Sequence, residues 1–248
     1  MKTFYEQIPS ARLTRRTPVA IRMDGKAFHT LTRGFNKPFD EVLIKSMQET
    51  MKYLCENIQG CVLGYTQSDE ITLILVDYKT LDSAAWFNYE VQKVCSIAAS
   101  MTTMAFNKFF AENAKEYGQY GNHDEKLFNA YKRAIEDGAM FDARCFNLPK
   151  EEVTNLIYWR QADASRNSVQ MVGRAFFSYK DLLDKSCSDI QDMLMIQKGV
   201  NWNDYPAYQK RGSCCIKDGN EKWFIDKEIP IFKGEGRLYV DRLIFIDQ

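Results

Sequence analysis

Two short apolar runs separated by three polar residues constrain the fold more than any other part of the sequence. The first run covers residues 61–67, the second covers residues 71–76, and Ser68-Asp69-Glu70 lies between them. Both runs have the length of a β-strand. Strands joined by so short a connection pair antiparallel, because a parallel pair needs a crossover of about a dozen residues or more. The sequence therefore predicts an antiparallel hairpin with an acidic pair at or beside its turn.

The patterns on either side extend this hairpin into a larger sheet. Alternating apolar residues predict a strand over residues 18–25, and Asp40 is a typical N-cap for a helix that begins after it. The predicted elements after the hairpin are a long helix over residues 83–110, a loop over residues 111–139, a strand over residues 139–148 and a long helix over residues 151–177. The order βαββαβ is that of the split ferredoxin-like fold. We therefore expect an α+β protein with an antiparallel sheet and helices on one face.

The sequence beyond residue 177 has a different pattern. A helix is predicted over residues 185–198, and Asp218-Gly219 between two apolar runs predicts a second hairpin. The apolar residues over 238–246 predict a final strand. Because no internal repeat divides the chain, we expect one domain, with its core at about residues 18–177 and an appended α/β region at residues 178–248.

Composition and charge exclude several classes of protein. Hydrophobic residues make up 45% and charged residues 27%, as in an ordinary globular chain, and the formal net charge of +0 argues against a protein that coats nucleic acid. The uncharged stretch at residues 94–107 is shorter than the roughly 20 residues of a membrane span. Residues 1–16 lack the apolar core of a secretion signal. We therefore expect a cytoplasmic protein with no membrane partner.

Cysteine and histidine are too few and too scattered for an obvious zinc site. The chain has seven cysteines, none spaced as Cys-x-x-Cys, and two histidines, His29 and His123. A catalytic metal would therefore have oxygen ligands, which is typical of Mg²⁺.

Two acidic positions have the pattern of a metal-dependent site. Asp24-Gly25 ends the first predicted strand, and Asp69 lies at the hairpin. Carboxylates on neighbouring strands can bracket divalent ions, and Gly25 has no Cβ to keep its carbonyl from the same ion. Two Mg²⁺ ions about 3.5–4 Å apart can activate an attacking oxygen and stabilise a leaving one in phosphoryl transfer. Asp-Gly is also a common turn, so spacing alone leaves a purely structural role open.

Four blocks of sequence resemble one enzyme family. The blocks are Arg22-Met-Asp24-Gly25-Lys26-Ala-Phe28-His29, Phe35-Asn-Lys37-Pro38-Phe-Asp40, Gly64-Tyr65-Thr-Gln67-Ser68-Asp69-Glu70 and Trp159-Arg160-Gln161-Ala162-Asp163. In order and spacing they resemble the tRNA-histidine guanylyltransferase family and its tRNA-repair relatives over residues 18–177. The resemblance implies a palm-like fold and 3′-to-5′ addition of nucleotides to the 5′ end of tRNA, after activation of that end by ATP or GTP. It also implies a homotetramer built as a dimer of dimers.

The resemblance implies roles for individual residues. It implies two Mg²⁺ ions held by Asp24, Asp69 and the Gly25 carbonyl, with Glu70 as a third catalytic residue. The nucleotide-binding residues that it implies are Asp24, Gly25, Lys26, Ala27, Phe28, His29, Lys37, Ser68, Asp69 and Lys93. The tRNA-binding residues that it implies are Arg144, Arg160 and Asn167. Strand alternation turns the Glu70 side chain away from that of Asp69, so we expect Glu70 to order the turn or to bind a second nucleotide. Arg160 can instead pair with Asp163 on one helix face.

One departure from the family pattern bears on the substrate. Where the branch dedicated to tRNA-histidine usually has His-Ile-Asn-Asn, this chain has Ser165-Arg166-Asn167-Ser168, and only Asn167 agrees. This favours the repair-type branch, which restores missing 5′ nucleotides against the opposite acceptor strand. Two alternatives stay open: a palm-type nucleotide cyclase and a non-catalytic tRNA-binding module.

An aromatic and basic cluster near residue 205 has two interpretations. Trp202, Tyr205 and Tyr208 lie beside Lys210 and Arg211. Such a cluster can stack on RNA, but packing at the edge of a sheet is the more common role of these residues.

Overall fold

A computed structural model describes residues 10–119 and 124–246 of the chain. The strands are β1 (Val19–Gly25), β2 (Cys61–Gln67), β3 (Glu70–Leu75), β4 (Phe141–Asn147), β5 (Ser213–Lys217) and β6 (Trp223–Asp226). The helices are α1 (Phe28–Leu31), α2 (Glu41–Asn57), α3 (Val91–Gln119), α4 (Glu125–Asp137), α5 (Lys150–Phe176), α6 (Tyr179–Leu182), α7 (Cys187–Lys198), α8 (Ala207–Arg211) and α9 (Leu238–Ile244).

The strands form one antiparallel sheet in the order β4-β1-β3-β2-β5-β6. The first four strands and the helices α2 and α3 make up the predicted βαββαβ unit, so the α+β, ferredoxin-like prediction is confirmed. The predicted C-terminal hairpin, β5 and β6, is also present. It pairs with β2, and the appended region therefore extends the same sheet.

Both faces of the sheet are covered, and each has its own apolar core. On β1, Ile21 and Met23 face the helices α2 and α3, while Ala20 faces α5 and α9. Alternate side chains of a strand point to opposite faces, which is why one strand contributes to both cores. The helices α2 and α3 share one face as predicted. The long helix α5 crosses the other face and leaves the edge at β4 more open.

The region predicted as a loop is largely helical, and that prediction was wrong. The helix α3 continues to Gln119, and α4 follows with Asp124 as its N-cap. The helix α4 buries Leu127, Ala130, Tyr131 and Ala134, whose spacing of three and four residues is that of an amphipathic helix. The polar residues between them obscured this pattern in the sequence.

Two further predictions about element type or bounds need correction. The predicted strand at residues 238–246 is the helix α9, whose buried side chains, Val240 and Ile244, lie four residues apart. An apolar run this short does not distinguish a strand from a helix by its pattern. The helix predicted from residue 83 begins only at Val91, because Phe87 and Asn88 before it have left-handed φ angles of 48° and 51°.

All seven cysteines are free thiols. Within residues 10–119 and 124–246, no helix combines the length and hydrophobicity that a membrane span requires.

Candidate active site

The two acidic positions meet where β1 and β3 lie side by side. Asp24 is directly opposite Glu70 in the antiparallel register. One residue further, the backbone N–H of Gly25 donates to the carbonyl oxygen of Asp69 at 3.1 Å. A tight connection of Ser68 and Asp69 joins β2 to β3, and it requires a left-handed φ of 50° at Ser68. The fold therefore brings together two segments that are some forty-five residues apart in sequence, as predicted.

The surroundings of the Asp69 carboxyl group disfavour its charged form. Its pKa is raised by burial above all, and the negative charges of Asp24 and Glu70 raise it further. The hydroxyl of Ser68 donates to Asp69 Oδ1 at 2.9 Å and opposes this rise. Asp69 thus lies within electrostatic reach of Asp24, and a divalent cation between them would offset the repulsion.

The oxygen atoms at this site fit a hard cation, and only a few of the cation's ligands would come from the protein. Among the described residues, no group of three or more histidine, cysteine, aspartate or glutamate side chains is arranged to hold a metal. Asp24 and Asp69 supply two carboxylates, and a further protein ligand would have to be a backbone oxygen such as that of Gly25. Mg²⁺ often binds in this way, through one or two carboxylates together with water and substrate phosphates.

A cavity of about 580 Å³ opens beside Asp69. This volume lies in the usual range of small-molecule sites, roughly 300–1,000 Å³. The predicted nucleotide-binding residues that line it are Gly25, Ala27, Phe28, His29, Lys37, Ser68 and Asp69. The structure therefore brings most of the predicted nucleotide site to one cavity.

Gly25 and Phe28 shape the wall of this cavity. A Cβ atom on Gly25 would lie 2.3 Å from the Phe28 ring, so the close approach of this ring requires glycine. The Phe28 ring is buried and packs against Phe106 and Phe141, with centroids 5.5 and 5.2 Å away. Phe28 thereby anchors α1, the short helix that also carries His29, to the core.

Three predicted nucleotide-binding residues do not line this cavity. Asp24 lies on the face of β1 that is turned toward α5. Lys26 is exposed, and its backbone N–H donates to the Met140 carbonyl at 2.9 Å. Lys93 lies in the first turn of α3, with its Nζ 5.2 Å from the Phe87 ring centroid. Their predicted roles stay predictions.

The sequence analysis missed two contributions to the cavity. Asp40 is buried and accepts hydrogen bonds from the backbone N–H groups of Asn36 and Leu43 and from the hydroxyl of Tyr131, at 2.8–3.0 Å. These bonds tie down the loop that carries Lys37. Arg174, near the end of α5, also lines the cavity and adds a second cation to it. The block containing Lys37 already included Asp40, but no local pattern indicated Arg174.

Glu70 and Arg160 form a buried ion pair with each other. The Nε and Nη2 atoms of Arg160 donate to the two carboxylate oxygens of Glu70 at 2.7 and 2.6 Å, and their side chains are only 10% and 8% exposed. Arg160 also lies 3.4 Å from Asp163, the pairing expected on the helix face. Glu70 therefore points toward α5, away from the cavity, as strand alternation predicts. Arg160 is bound within the fold and leaves little surface for the predicted contact with tRNA.

The other two predicted tRNA-binding residues are accessible. Arg144 is 59% exposed on the edge strand β4, where its Nη2 lies 3.3 Å from Asp142. Asn167, on α5, lines a second cavity of about 90 Å³. This smaller cavity shares four lining residues with the first, Asp40, Leu43, Ser68 and Met171.

The aromatic and basic cluster near residue 205 is mainly packing. Trp202 and Tyr205 pack against a small core between α5 and α7. The indole N–H of Trp202 donates to Ser168 Oγ at 3.0 Å, and the Tyr205 ring contacts that of Phe39 at 5.4 Å.

Comparison with known proteins identifies the family. The model of the tRNA(His) guanylyltransferase family matches residues 1–149. This chain belongs to the tRNA(His) guanylyltransferase family. The predicted enzyme class is confirmed as well, since the curated relatives of this family are nucleotidyltransferases.

Individual relatives extend the match beyond residue 149. A probable tRNA(His) guanylyltransferase of Dictyostelium discoideum is 25% identical over 243 residues, which are 93% of this chain and 86% of the relative. A bacterial tRNA(His) guanylyltransferase (Thg1)-like protein in complex with ATP is 40% identical, with a TM-score of 0.85 over 99% of this chain and 97% of the other. A bacterial Thg1-like protein in complex with GTP is 37% identical, with a TM-score of 0.79 over 98% and 97%. The palm-like fold implied by the resemblance is thus confirmed for the whole chain.

Proposed function

We propose that this enzyme adds nucleotides in the 3′-to-5′ direction to the 5′ end of tRNA, guided by the opposite acceptor strand. The observation that carries the proposal is the meeting of Asp24-Gly25 and Asp69 beside a nucleotide-sized cavity that also contains Lys37. The ATP and GTP complexes of the bacterial Thg1-like proteins support nucleoside triphosphates as its substrates. The family assignment favours nucleotidyl transfer over a nucleotide cyclase or a non-catalytic tRNA-binding module.

The proposed reaction has two phosphoryl transfers. In the first, an oxygen of the tRNA 5′-monophosphate attacks the α-phosphorus of ATP or GTP, and pyrophosphate leaves. In the second, the 3′-hydroxyl of the incoming nucleoside triphosphate attacks the activated 5′-phosphorus, a phosphodiester bond forms, the hydroxyl proton passes to solvent, and the nucleoside monophosphate leaves. The enzyme contributes position and charge compensation, as is usual in phosphoryl transfer.

Each part of the site has a place in this scheme. Asp24, Asp69 and the Gly25 carbonyl would hold Mg²⁺, which when bound neutralises charge on the transferring phosphoryl group. Lys37 and Arg174 face the same cavity and bind triphosphate oxygens. Ser68 orients Asp69 through its hydroxyl, and Asp40 holds the loop of Lys37 in place.

The first test replaces the two aspartates. Asp24→Ala and Asp69→Ala should each reduce nucleotide addition to a 5′-truncated tRNA by at least a thousandfold while the midpoint of thermal unfolding stays close to that of wild type. Asp192→Ala, an exposed acid on α7, is the control and should retain activity. Addition by either site variant at more than a tenth of the wild-type rate would contradict the assignment of the site.

The second test separates the repair branch from the tRNA-histidine branch. Within residues 165–168, Ser168 is bound inside the fold: its Oγ donates to the Lys210 carbonyl at 3.1 Å and accepts from Trp202. Arg166 is exposed and pairs with Asp163. We therefore expect addition to follow the base opposite the missing nucleotide when that base is varied. Addition of G alone, to tRNA-histidine alone, would contradict the choice of the repair branch.

The assembly and the location of the enzyme belong to the same proposal. The homotetramer and the cytoplasmic location implied for this chain are tested by light scattering after gel filtration and by imaging of a tagged chain. A monomer at micromolar concentration would contradict the first prediction.

A further inference from the structure

An exposed tryptophan lies on α5, beyond the nucleotide cavity. The side chain of Trp159 is 55% accessible. The guanidinium carbons of Arg160 and Arg22 lie 4.9 and 5.6 Å from the centroid of its ring. Both guanidinium groups lie over the ring, yet more than half of the side chain stays accessible, so this indole offers aromatic surface together with positive charge and differs from an isolated apolar residue on a surface.

This tryptophan is on the same side of the sheet as Asp24. Along β1, Arg22 and Asp24 are two residues apart and so share one face, which is the face that α5 crosses. Glu70, the cross-strand neighbour of Asp24, is held by Arg160, the residue next to Trp159 in sequence. The indole is therefore connected to the catalytic end of the sheet through short, buried contacts.

Arginine side chains extend from the indole to the edge of the sheet. Arg144 on β4 lies directly opposite Arg22 in the register and is 59% exposed. Arg22 is mostly buried, and its Nε lies 3.7 Å from Glu70 Oε1, an ion pair too long for a hydrogen bond. The carboxylates of this face pair with these arginines: Glu70 with Arg160 and Arg22, Asp163 with Arg160, and Asp142 with Arg144, while Asp24 lies at the end of the same strand face. The surface thus presents an aromatic plane with an accessible arginine beside it.

Aromatic planes next to cationic side chains are how proteins bind unpaired nucleotides. Stacking of a base on an aromatic side chain tolerates any base, and arginine compensates the adjacent phosphate. A base inside a duplex has both faces covered by its neighbours, so an unpaired base at the end of the acceptor stem is the part of tRNA that can use the indole. We propose that Trp159 stacks an unpaired base of the tRNA acceptor end, with Arg144 contacting the phosphate next to it. This inference rests on the proposed function only for its choice of tRNA as the RNA.

Binding of short RNA hairpins without nucleotides tests the inference separately from catalysis. The two probes are a labelled acceptor-stem hairpin with an unpaired 3′ extension and the same hairpin with a blunt, fully paired end. Trp159→Ala should weaken binding of the extended hairpin about tenfold and of the blunt hairpin less than about twofold. Trp159→Phe should retain most of the affinity, and Arg144→Ala should weaken binding and reduce its salt dependence.

The controls keep the test specific. Phe224→Ala removes a 39% exposed aromatic ring from β6, at the opposite edge of the same sheet, and should bind both hairpins as wild type does. In the wild type, the extended hairpin should quench a component of tryptophan fluorescence that Trp159→Phe lacks, and this measurement does not require the alanine variant to fold.

The outcomes separate the inference from the proposed function. Wild-type affinity of Trp159→Ala for the extended hairpin, equal losses on both hairpins, or identical quenching in wild type and Trp159→Phe would each overturn the stacking inference. Absence of nucleotide addition by the wild type, with hairpin binding that still depends on Trp159, would contradict the proposed function alone.

Discussion

Asp69 and Glu70 are consecutive in sequence, and the fold gives them opposite surroundings. Asp69 lines the 580 Å³ cavity, where the Ser68 hydroxyl is the only donor from another residue to its carboxyl group within the described residues. Glu70 faces α5, where Arg160 binds both of its oxygens and Thr72 donates a third, longer bond at 3.3 Å. A carboxylate with its oxygens already bonded has little capacity for a metal or a phosphate-bound ion, whereas one held by a single hydroxyl keeps that capacity. The comparison teaches that one residue of the acidic pair is anchored within the fold, while the other keeps the capacity for the ligand role that we propose.

The largest effect that tests this comparison is the loss of protein stability expected when Glu70 is replaced. Glu70→Ala removes the carboxylate that binds the buried guanidinium of Arg160 through two hydrogen bonds and leaves it only the longer contact with Asp163, so we expect the free energy of unfolding to fall by about 3–5 kcal/mol. The double variant Glu70→Ala/Arg160→Met removes both charges and should recover a large part of this loss. Urea unfolding of the wild type, both single variants and the double variant measures the coupling.

An exposed ion pair provides the control for this experiment. Lys45 and Glu116 are 2.7 Å apart but about half exposed, so Glu116→Ala should cost less than about 1 kcal/mol. If Glu70→Ala were as stable as Glu116→Ala while nucleotide addition was abolished, Glu70 would be a ligand of the reaction and the distinction between the two carboxylates would fail.

The second effect concerns Lys37, which lines the cavity near the turn. Lys37 lines the cavity with no ion pair to another side chain among the described residues, so its ammonium group is available to phosphate. Lys37→Ala should weaken binding of ATP by about tenfold or more, since hydrogen bonds to charged groups contribute roughly 1.5–3 kcal/mol. Calorimetric titration with ATP and Mg²⁺ measures the change. Lys115→Ala, on the exposed side of α3, should bind ATP as wild type does, and an equal loss in both variants would contradict a local role of Lys37.

Local patterns in the sequence predicted the sheet and the proximity of Asp24 and Asp69. They did not predict the ion pair between Glu70 and Arg160. The bounds of β2 were predicted because its apolar residues are continuous, and the position of Asp69 beside Gly25 follows from the hairpin and the neighbouring strand. The contact of Glu70 with Arg160 joins residues 90 positions apart. This contact depends on where α5 crosses the sheet, and the spacing of apolar residues does not predict that position. The helix α4 was missed for a different reason: its apolar residues have helical spacing, but the acidic and glycine residues around them are typical of a loop.

The smallest effect concerns how the turn itself holds Asp69. Ser68 has a left-handed φ of 50°, which costs a residue with a Cβ roughly 1 kcal/mol, and its hydroxyl donates to Asp69. Ser68→Gly relieves the backbone strain and Ser68→Ala does not, so the glycine variant should be the more stable of the two by about 1 kcal/mol. Both variants lose the hydroxyl, and we expect nucleotide addition to fall several-fold in each, because Asp69 then lacks its orienting donor. Urea unfolding and single-turnover assays on the same preparations measure the two effects. Wild-type rates in both variants would mean that the backbone of the turn alone orients Asp69. Asp69 and Glu70 would then differ because of the backbone positions that strand pairing gives them, and not because of the side chains that bind them.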